Sequence, residues 1–455
     1  MRINPIEHAL TRLKSGVRDE RGVTAVLFAL AFAILAPVAL GVFDIYTASE
    51  QRGKLQDALD AAALYAARSS AQTDAAIDDL GDKALAANLQ LAGGGTLTAS
   101  DFHLVGNKIV ASATVQLPAL TPMLAANPLV SASSEVTRAG YNLEVSLVLD
   151  TTGSMSGSRV TDLKAAANSL VDLVVSDAQA PYYSKVAIVP YSMGVNVGSY
   201  ANAVRGTPTA GTGNNVAGFT SIKFTAQDGT LNQTFNVSNC VSERTGLDAY
   251  TDASPSLVTP ATLLGYNYPA PGNGCIAAAM MPMSSDKVAL HAKIGTLAAG
   301  GSTAGHVGIA WGWYLVSPNW GFLFPAASRP AAYGTDHLLK VVVLMTDGAY
   351  NSSYCKGVIA QSSTSGSGST SNHINCNAPN GSAYAQSAQL CTAMKARGVI
   401  VYTVGFDLGS DPNATTLVNN CATDAQHVYL PATGASLQTA FQAIGADLNR
   451  LRISH

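Results

Sequence analysis

Two aspartates and three hydroxyl side chains stand where they could bind a divalent cation. Asp150 ends an apolar run, and Thr152 and Ser154 follow it at alternate positions within one tight turn. Asp347 follows a second apolar run, and Thr303 lies just ahead of a helical pattern. In an open α/β sheet, binding sites form beyond the carboxyl ends of the strands, so these side chains are expected to meet at one edge.

The ligand types favour a hard cation. Hydroxyl oxygens with few carboxylates suit Mg²⁺ or another divalent cation such as Mn²⁺. Mg²⁺ takes six ligands at about 2.0–2.1 Å, so water or a partner's carboxylate would complete the shell. Such a site is a binding device rather than a hydrolytic one. A purely structural alternative stays open, because Asp150 and Ser154 are also residue types that form turns and cap helices.

Catalytic patterns are weak in this chain. A serine hydrolase needs a pattern such as GxSxG, and the nearest text, residues 153–157, places Met155 at the position of the nucleophile. Four histidines lack a convincing partner pattern and are expected at surface or loop positions: His306, His337, His373 and His427. The tryptophans are expected to serve packing: Trp311, Trp313 and Trp320. We therefore predict that the protein is not an enzyme.

The elements that must position the candidate ligands alternate between strands and helices. Nearly continuous apolar runs predict buried strands at 143–150, 186–191, 338–345 and 399–406. Helical patterns occur at 160–175, 286–297, 304–316, 383–397 and 437–450. This alternation is typical of an α/β fold with a mainly parallel sheet that is covered on both faces.

Less regular stretches interrupt and precede this pattern. Insertions are expected near 198–283, with a hairpin around residues 226–229, and near 351–381, with a low-complexity loop. Residues 44–140 predict a helix followed by a small sheet. That helix carries a narrow apolar stripe that could support self-association: Leu55, Leu59, Ala62, Ala63 and Ala66.

An uncharged apolar segment, residues 22–43, precedes all of these elements. About 20 apolar residues span a bilayer's hydrocarbon core as a helix, whereas a cleaved signal peptide, the alternative, has an apolar region of only about 7–15. The flanking cations are Arg2, Arg12, Lys14, Arg18 and Arg21 before the segment and Arg52, Lys54 and Arg68 after it. By the positive-inside rule, residues 1–21 would stay in the cytoplasm and the bulk of the chain would lie outside.

Composition excludes two classes of protein. Charged residues make up 12% of the chain and the net charge is −3, whereas average proteins carry about 25% charged residues. Hydrophobic residues make up 47%, which supplies a large core and is incompatible with general intrinsic disorder. The chain has no cationic excess, so we expect no nucleic-acid partner.

All six cysteines follow the apolar segment, and an even number in an oxidising compartment indicates disulfides. Of the 15 pairings that six cysteines allow, pairing of sequence neighbours is the simplest. It would join Cys240 to Cys275, Cys355 to Cys376 and Cys391 to Cys421. Six buried free thiols are the alternative, and zinc is disfavoured because no CxxC or HExxH pattern occurs.

The candidate ligands resemble the metal-ion-dependent adhesion site of von Willebrand factor A domains. The family's first motif is Asp-x-Ser-x-Ser, which stands here as DTTGS at 150–154, with Thr152 keeping the hydroxyl. Thr303 in GGST matches the family's isolated threonine, and Asp347 in TDG matches its later aspartate. The resemblance covers 141–455 apart from the insertions. It implies a Rossmann-like, doubly wound, mainly parallel sheet with Mg²⁺ bound by Asp150, Thr152, Ser154, Thr303 and Asp347.

A second resemblance lies at 18–67, which is similar to the N-terminal segment of TadE/TadG-like proteins of Flp (tight adherence) pilus systems. The shared features are a basic leader, Arg-Gly before the apolar helix, and a Leu-Gln-x-Ala-x-Asp-Ala-Ala-Ala-Leu run, here at 55–64. TadG-like members couple this anchor to a von Willebrand A-like domain with cysteine-bearing insertions. Prepilin-like TadE members carry Glu five residues after the processing glycine, but Leu27 holds that place after Gly22. An intact, unprocessed anchor is therefore implied.

Together the resemblances imply a membrane-anchored, non-enzymatic component of a Flp/Tad pilus assembly system that binds pilus-assembly or envelope proteins through a Mg-dependent adhesion site. It would cross the inner membrane once, with a cytoplasmic N-terminus and the bulk periplasmic or extracellular. The implied order is a cytoplasmic segment 1–21, a transmembrane helix 22–43, a TadE/TadG-like helix and small sheet 44–140, and a von Willebrand A-like domain 141–455. The alternative function is a metal-dependent surface adhesin of the cell envelope.

Overall fold

The computed structural model describes residues 20–454 except for 70, 72, 92–93, 107, 120–126, 139, 178, 181, 208, 213–218, 232–233, 257–262, 268–272, 364–368 and 410. The predicted cytoplasmic segment 1–21 lies outside the described residues except for Glu20 and Arg21, so the orientation of the chain stays a prediction. Two compact units make up the chain, Met1–Arg138 and Ala139–His455. We refer to them as the N-terminal unit and the C-terminal unit.

The N-terminal unit begins with a long helix, α1 (Glu20–Ala67). Between Val26 and Tyr46 its large apolar side chains are at least 40% exposed, so protein does not cover them. Among the described residues, α1 is the one helix that is long and apolar enough to cross a membrane. Pro37 lies within it, as transmembrane helices tolerate. These properties are consistent with a single-pass membrane anchor.

The rest of the N-terminal unit packs on the second half of α1. It comprises α2 (Asp74–Asn88), β1 (Thr96–Val105), β2 (Lys108–Gln116) and β3 (Leu129–Thr137), with the strands in an antiparallel sheet of order β1-β2-β3. The apolar stripe of α1 is fully buried in the core of this unit: Leu55, Leu59, Ala62, Ala63 and Ala66. The stripe therefore packs inside its own unit and is not a free surface for a second copy.

The C-terminal unit is built from strands and helices that alternate along the chain. Its strands are β4 (Asn142–Asp150), β5 (Ser184–Tyr191), β6 (Val195–Asn196), β7 (Thr209–Thr212), β8 (Phe219–Ile222), β9 (Phe235–Asn236), β10 (Cys240–Ser242), β11 (Gly265–Tyr266), β12 (Met281–Ser284), β13 (Leu338–Thr346), β14 (Tyr354–Cys355), β15 (Val358–Ile359), β16 (Ile400–Gly405) and β17 (Val428–Tyr429). Its helices are α3 (Ser158–Val174), α4 (Ala201–Arg205), α5 (Lys287–Gly295), α6 (Gly305–Tyr314), α7 (Ala383–Ala396), α8 (Pro412–Cys421) and α9 (Gly434–Ser454).

A mixed sheet forms the centre of this unit, with its six strands in the order β12-β5-β4-β13-β16-β17. The edge strand β12 is antiparallel to β5, and the other neighbours are parallel. The four runs predicted as buried strands correspond to β4, β5, β13 and β16. Their side chains alternate between two cores, one under α3, α5 and α9 and the other under α6, α7 and α8. Both faces of the sheet are therefore covered.

Three disulfide bonds confirm the expectation of an oxidised chain, and each joins neighbouring cysteines. Cys240–Cys275 and Cys355–Cys376 close loops within the insertions, and Cys391–Cys421 links α7 to α8. In the first insertion, β8 and β9 pair antiparallel on either side of the predicted hairpin turn. Residues 364–368 of the low-complexity loop lie outside the described part of the chain.

One histidine does not occupy the surface or loop position expected for it. His306 lies on α6 and is fully buried, whereas His373 lies in a loop, as expected, although it is only 6% exposed. The expectation was wrong for His306 because it judged residue type without the tertiary packing: α6 is buried along its whole length against the sheet. The tryptophans are buried, as expected of packing residues: Trp311, Trp313 and Trp320.

Candidate functional site

The candidate site forms where two adjacent parallel strands end. β4 ends at Asp150, and β13 ends one residue before Asp347. The two strands pair directly, with Leu344 opposite Val148, so both carboxylates reach the same edge of the sheet. Beyond β4 the chain forms a short 3₁₀ turn, which returns Ser154 toward that edge.

Hydrogen bonds connect four of the five predicted ligands. The hydroxyl of Thr152 donates to Asp150 Oδ1 over 2.6 Å, and the Thr152 backbone N–H donates to the same oxygen over 3.0 Å. Ser154 Oγ lies 3.0 Å from Thr152 Oγ1 and donates to Asp347 Oδ1 over 2.7 Å. The carboxylate and hydroxyl oxygens of Asp150, Thr152, Ser154 and Asp347 therefore form one continuous cluster.

The second oxygen of Asp150 is held by two residues outside the predicted set. Tyr191, at the end of β5, donates its hydroxyl proton to Asp150 Oδ2 over 2.9 Å. Thr346, at the end of β13, donates to the same oxygen over 2.9 Å. Because both donors sit on strands, they fix the rotation of the carboxylate and direct Oδ1 toward Thr152.

The Thr303 loop packs against the same turn through its backbone. The N–H of Gly153 donates to the carbonyl of Gly301 over 2.9 Å, and Gly300 donates to the carbonyl of Thr151 over 2.9 Å. Gly301 has a φ of 82°, and an added Cβ would lie 2.8 Å from Asn273 Oδ1, so this position requires glycine. Within the described residues, the Thr303 hydroxyl stands outside the hydrogen-bonded cluster, although its backbone N–H is fixed by the side chain of Asn351.

Burial dominates the electrostatics of the two aspartates. Asp150 is fully buried, and this loss of solvent raises its pKa even though Thr152, Thr346 and Tyr191 donate hydrogen bonds to it. Burial, together with the nearby charge of Asp150, raises the pKa of Asp347 to about 6. Arg159 acts in the opposite direction, since its Nη1 lies 3.1 Å from Asp347 Oδ2.

This donor set fits a hard divalent cation. The cluster holds two buried carboxylates whose pKa values stay raised although Arg159 pairs with Asp347, and all the clustered donors are oxygens. Ser154 is exposed, so the cluster opens to solvent on that side. In the described part of the chain no group of three or more His, Cys, Asp or Glu residues could hold a metal. A cation at this site would therefore need hydroxyl, water or partner oxygens beside its two carboxylates.

Three residues of the site escaped prediction, namely Tyr191, Thr346 and Arg159. Thr346 stands next to Asp347, and Tyr191 ends a strand that was predicted, so strand-end position was a usable signal for both. Arg159 has no such signal, because its contact with Asp347 crosses 188 residues.

One known family matches the N-terminal segment. Residues 22–69 match the Tad family, described as Flp pilus-assembly TadE/G-like. The match covers most of α1 and two residues beyond it, and leaves the C-terminal unit outside. No curated protein matches the chain significantly.

Several solved structures of pilus proteins are distantly similar. They include the pilus adhesin SpaC from Lactobacillus rhamnosus GG, with 10% identity over 79% of this chain and 35% of that chain and a TM-score of 0.37. The vWF domain of the type V pili tip protein Mfa5 from Porphyromonas gingivalis has 13% identity over 70% of this chain and 97% of that chain, with a TM-score of 0.38. The pilus adhesin RrgA from Streptococcus pneumoniae has 14% identity over 80% of this chain and 49% of that chain, with a TM-score of 0.36. The chain thus matches only about a third of SpaC, and TM-scores this low do not establish a shared fold.

Proposed function

We propose that this chain is a membrane-anchored, non-enzymatic component of a Flp/Tad pilus assembly system. The observation that carries the proposal is the match of residues 22–69 to the TadE/G-like family, on a helix whose large apolar side chains between Val26 and Tyr46 are exposed in the described structure. In this arrangement the chain crosses the inner membrane once, with its N-terminus in the cytoplasm and its C-terminal unit on the periplasmic or extracellular side. The three disulfides suit that oxidising side.

The C-terminal unit is proposed to be a von Willebrand A-like domain. Its strand order, the single antiparallel edge strand and the helices on both faces support a doubly wound sheet. The positions of Asp150 and Asp347 at the carboxyl ends of adjacent parallel strands agree with the rule for binding sites in such sheets.

The proposed binding device is a divalent-cation site at that edge. Asp150, Thr152, Ser154 and Asp347 would hold Mg²⁺ or Mn²⁺, with Thr303 supplied by the adjoining loop. When bound, the cation offers an open coordination position to an oxygen of a partner protein. The residues of this chain fix the donors: Tyr191 and Thr346 orient Asp150, and Ser154 positions Asp347. The expected partners are other pilus-assembly or envelope proteins.

Crosslinking in native membranes tests this function with the full-length chain. Because Asp150 is buried, the conservative D150N and the exposed-side S154A are the appropriate variants. The matched control is D177A, which removes a 91% exposed carboxylate from a surface ion pair with Lys287. Both site variants should insert into the membrane normally, lose the crosslinked partner and reduce pilus number, while D177A keeps both.

The same strains distinguish the proposed assembly role from the alternative function, a metal-dependent surface adhesin. Normal pili with lost attachment to surfaces in D150N and S154A would favour a metal-dependent adhesin over an assembly component. Unchanged crosslinking, piliation and attachment in both variants would overturn the role of the site. A chain recovered in the soluble fraction would overturn the anchor.

A further inference from the structure

Arg159 lies between the candidate metal site and a neighbouring loop. Its Nη1 lies 3.1 Å from Asp347 Oδ2, and its Nη2 bonds to Asp407 Oδ2. The guanidinium carbon lies 5.6 Å from the centre of the Phe406 ring, so an aromatic face supports it as well. The Arg159 side chain is 31% exposed, whereas that of Asp347 is 1% exposed. Arg159 is thus the cation that compensates Asp347 in this structure.

The two oxygens of Asp347 are divided between different partners. Oδ1 accepts the hydroxyl proton of Ser154, on the side of the oxygen cluster. Oδ2 accepts from Arg159, on the opposite side. A divalent cation bound at the cluster would share this carboxylate with the guanidinium, and two positive charges a few ångströms apart repel each other.

The placement of Arg159 is not explained by helix stability. It is the second residue of α3, where the positive end of the helix dipole disfavours a cation and favours a carboxylate. Two aspartates from the ends of other strands offset this cost. The position therefore depends on its tertiary partners rather than on its own helix.

Asp407 provides a second anchor for the same guanidinium. It follows β16 with a φ of 48°, a left-handed conformation that is uncommon outside glycine, and its backbone N–H donates to the carbonyl of Pro431 over 2.9 Å. Its side chain is 46% exposed. This geometry holds a second carboxylate at Nη2 of Arg159, whereas Asp347 is bound at Nη1.

We infer that Arg159 is an internal cation that competes for Asp347 and sets the affinity of the divalent-cation site, with Asp407 as the anchor that draws it away. This inference rests on the proposed function of the site. Without a divalent cation, Arg159 bridges both aspartates. With one bound, Asp407 retains the guanidinium and Asp347 turns its charge to the metal. The two partners of Arg159 thus have opposite roles.

Titration of the full-length protein in detergent with Mn²⁺, followed by calorimetry, tests the inference. Arg159→Gln removes the competitor and should lower the Kd for Mn²⁺ about tenfold, whereas Asp407→Asn removes the anchor and should raise it about threefold. Losing a nearby positive or negative charge would by itself change the Kd in the same directions. The decisive measurement is therefore the Kd of the double variant. If Asp407 acts by anchoring the guanidinium, Asp407→Asn loses most of its effect in the Arg159→Gln background.

Controls separate failure of the inference from failure of the site. Arg450→Gln removes an exposed arginine from its 2.6 Å pair with Asp447 and should leave the Kd unchanged. Mn²⁺ binding that D150N abolishes but Arg159→Gln leaves unaltered would overturn the inference and keep the site. Additive effects of Arg159→Gln and Asp407→Asn would also overturn it. Absence of Mn²⁺ binding in both the native chain and Arg159→Gln would overturn the proposed site itself.

Discussion

Ser154 Oγ donates a 2.7 Å hydrogen bond to Asp347 Oδ1, joining residues 193 positions apart in the chain. The hydroxyl comes from the exposed turn after β4, and the carboxylate follows β13 and is buried. This bond completes the oxygen cluster and places its open side at Ser154. The site therefore depends on the correct pairing of β4 with β13, which only the folded sheet provides.

Removal of the Tyr191 hydroxyl should weaken the site without changing its ligands. Tyr191→Phe leaves Asp150 Oδ2 with Thr346 as its remaining side-chain hydroxyl donor. The lost hydrogen bond to a buried carboxylate should lower the free energy of unfolding by about 1–3 kcal/mol and weaken Mn²⁺ binding. Urea unfolding and calorimetry measure the two effects. The control Tyr200→Phe also removes a tyrosine hydroxyl but keeps the ring that packs on Phe324. Equal losses of stability and of Mn²⁺ binding in the two variants would contradict the role assigned to Tyr191.

The stability of the metal-free protein should rise on acidification in a window set by Asp347. Its pKa is raised from 3.8 to about 6 in the folded state, so between about pH 4 and 6 the folded chain binds more protons than the unfolded chain. This contribution is present below pH 4 and is lost as the pH rises through 6. In D347N it should disappear, changing the difference in unfolding free energy between pH 4 and 7 by about 2 kcal/mol. Urea unfolding of chelator-treated protein across this range checks the sign, and identical pH profiles would contradict it.

The sequence predicts those parts of the site that depend on strand position. Asp150 and Asp347 each follow an apolar run, and parallel strands bring their carboxyl ends to one edge, so their proximity follows from pattern and topology. The residues that tune the site are different. Arg159 meets Asp407 across 248 residues, and nothing local at either position indicates the contact. Such contacts depend on the register of strands and on helix rotation, which composition and periodicity do not specify.

Which side chains are buried could also be predicted only in part from the sequence. The stripe of α1 from Leu55 to Ala66 was visible as helical periodicity, but its partner, the sheet of its own unit, was not. His306 lay on a predicted helix, yet its fully buried position beside Glu243 Oε2, 3.3 Å away, follows from packing alone. Periodicity identifies which residues share a face, and only the fold decides what covers that face.

Removing one partner of a buried ion pair near the start of β4 should strongly destabilise the folded chain. Lys340 Nζ donates to Glu144 Oε2 over 2.5 Å and to the carbonyl of Val316 over 2.8 Å, and both charged side chains are at most 5% exposed. Lys340→Met strands a buried carboxylate and should cost about 3–5 kcal/mol of unfolding free energy. The double variant Glu144→Gln/Lys340→Met should recover part of this loss, because it also removes the unpaired carboxylate. Equal stability of the single and double variants in urea would contradict the pairing.

The disulfide between α7 and α8 should stabilise the C-terminal unit. Cys391 and Cys421 are separated by 30 residues, and closure of a loop of that length reduces the entropy of the unfolded chain. Replacing both cysteines with alanine should therefore lower the unfolding free energy by about 3–4 kcal/mol. Unfolding under non-reducing conditions measures the loss. Reduction of the native chain provides the comparison, since it should lower the unfolding free energy at least as much. A double variant that is as stable as the native chain would contradict the prediction.

Divalent cations should stabilise the native chain through the oxygen cluster. A ligand that binds only the folded state adds about 2.7 kcal/mol at 100 times its Kd, so Mg²⁺ or Mn²⁺ should raise the Tm of chelator-treated, full-length protein. D150N removes one buried negative charge, and S154A removes the hydroxyl that joins the cluster to Asp347; both should lose most of the shift. D177A should keep it, because its carboxylate is an exposed surface group. A native Tm that does not respond to millimolar Mg²⁺ or Mn²⁺, or a shift of equal size in D150N, would show that the cluster serves to close the β4 turn rather than to bind a metal.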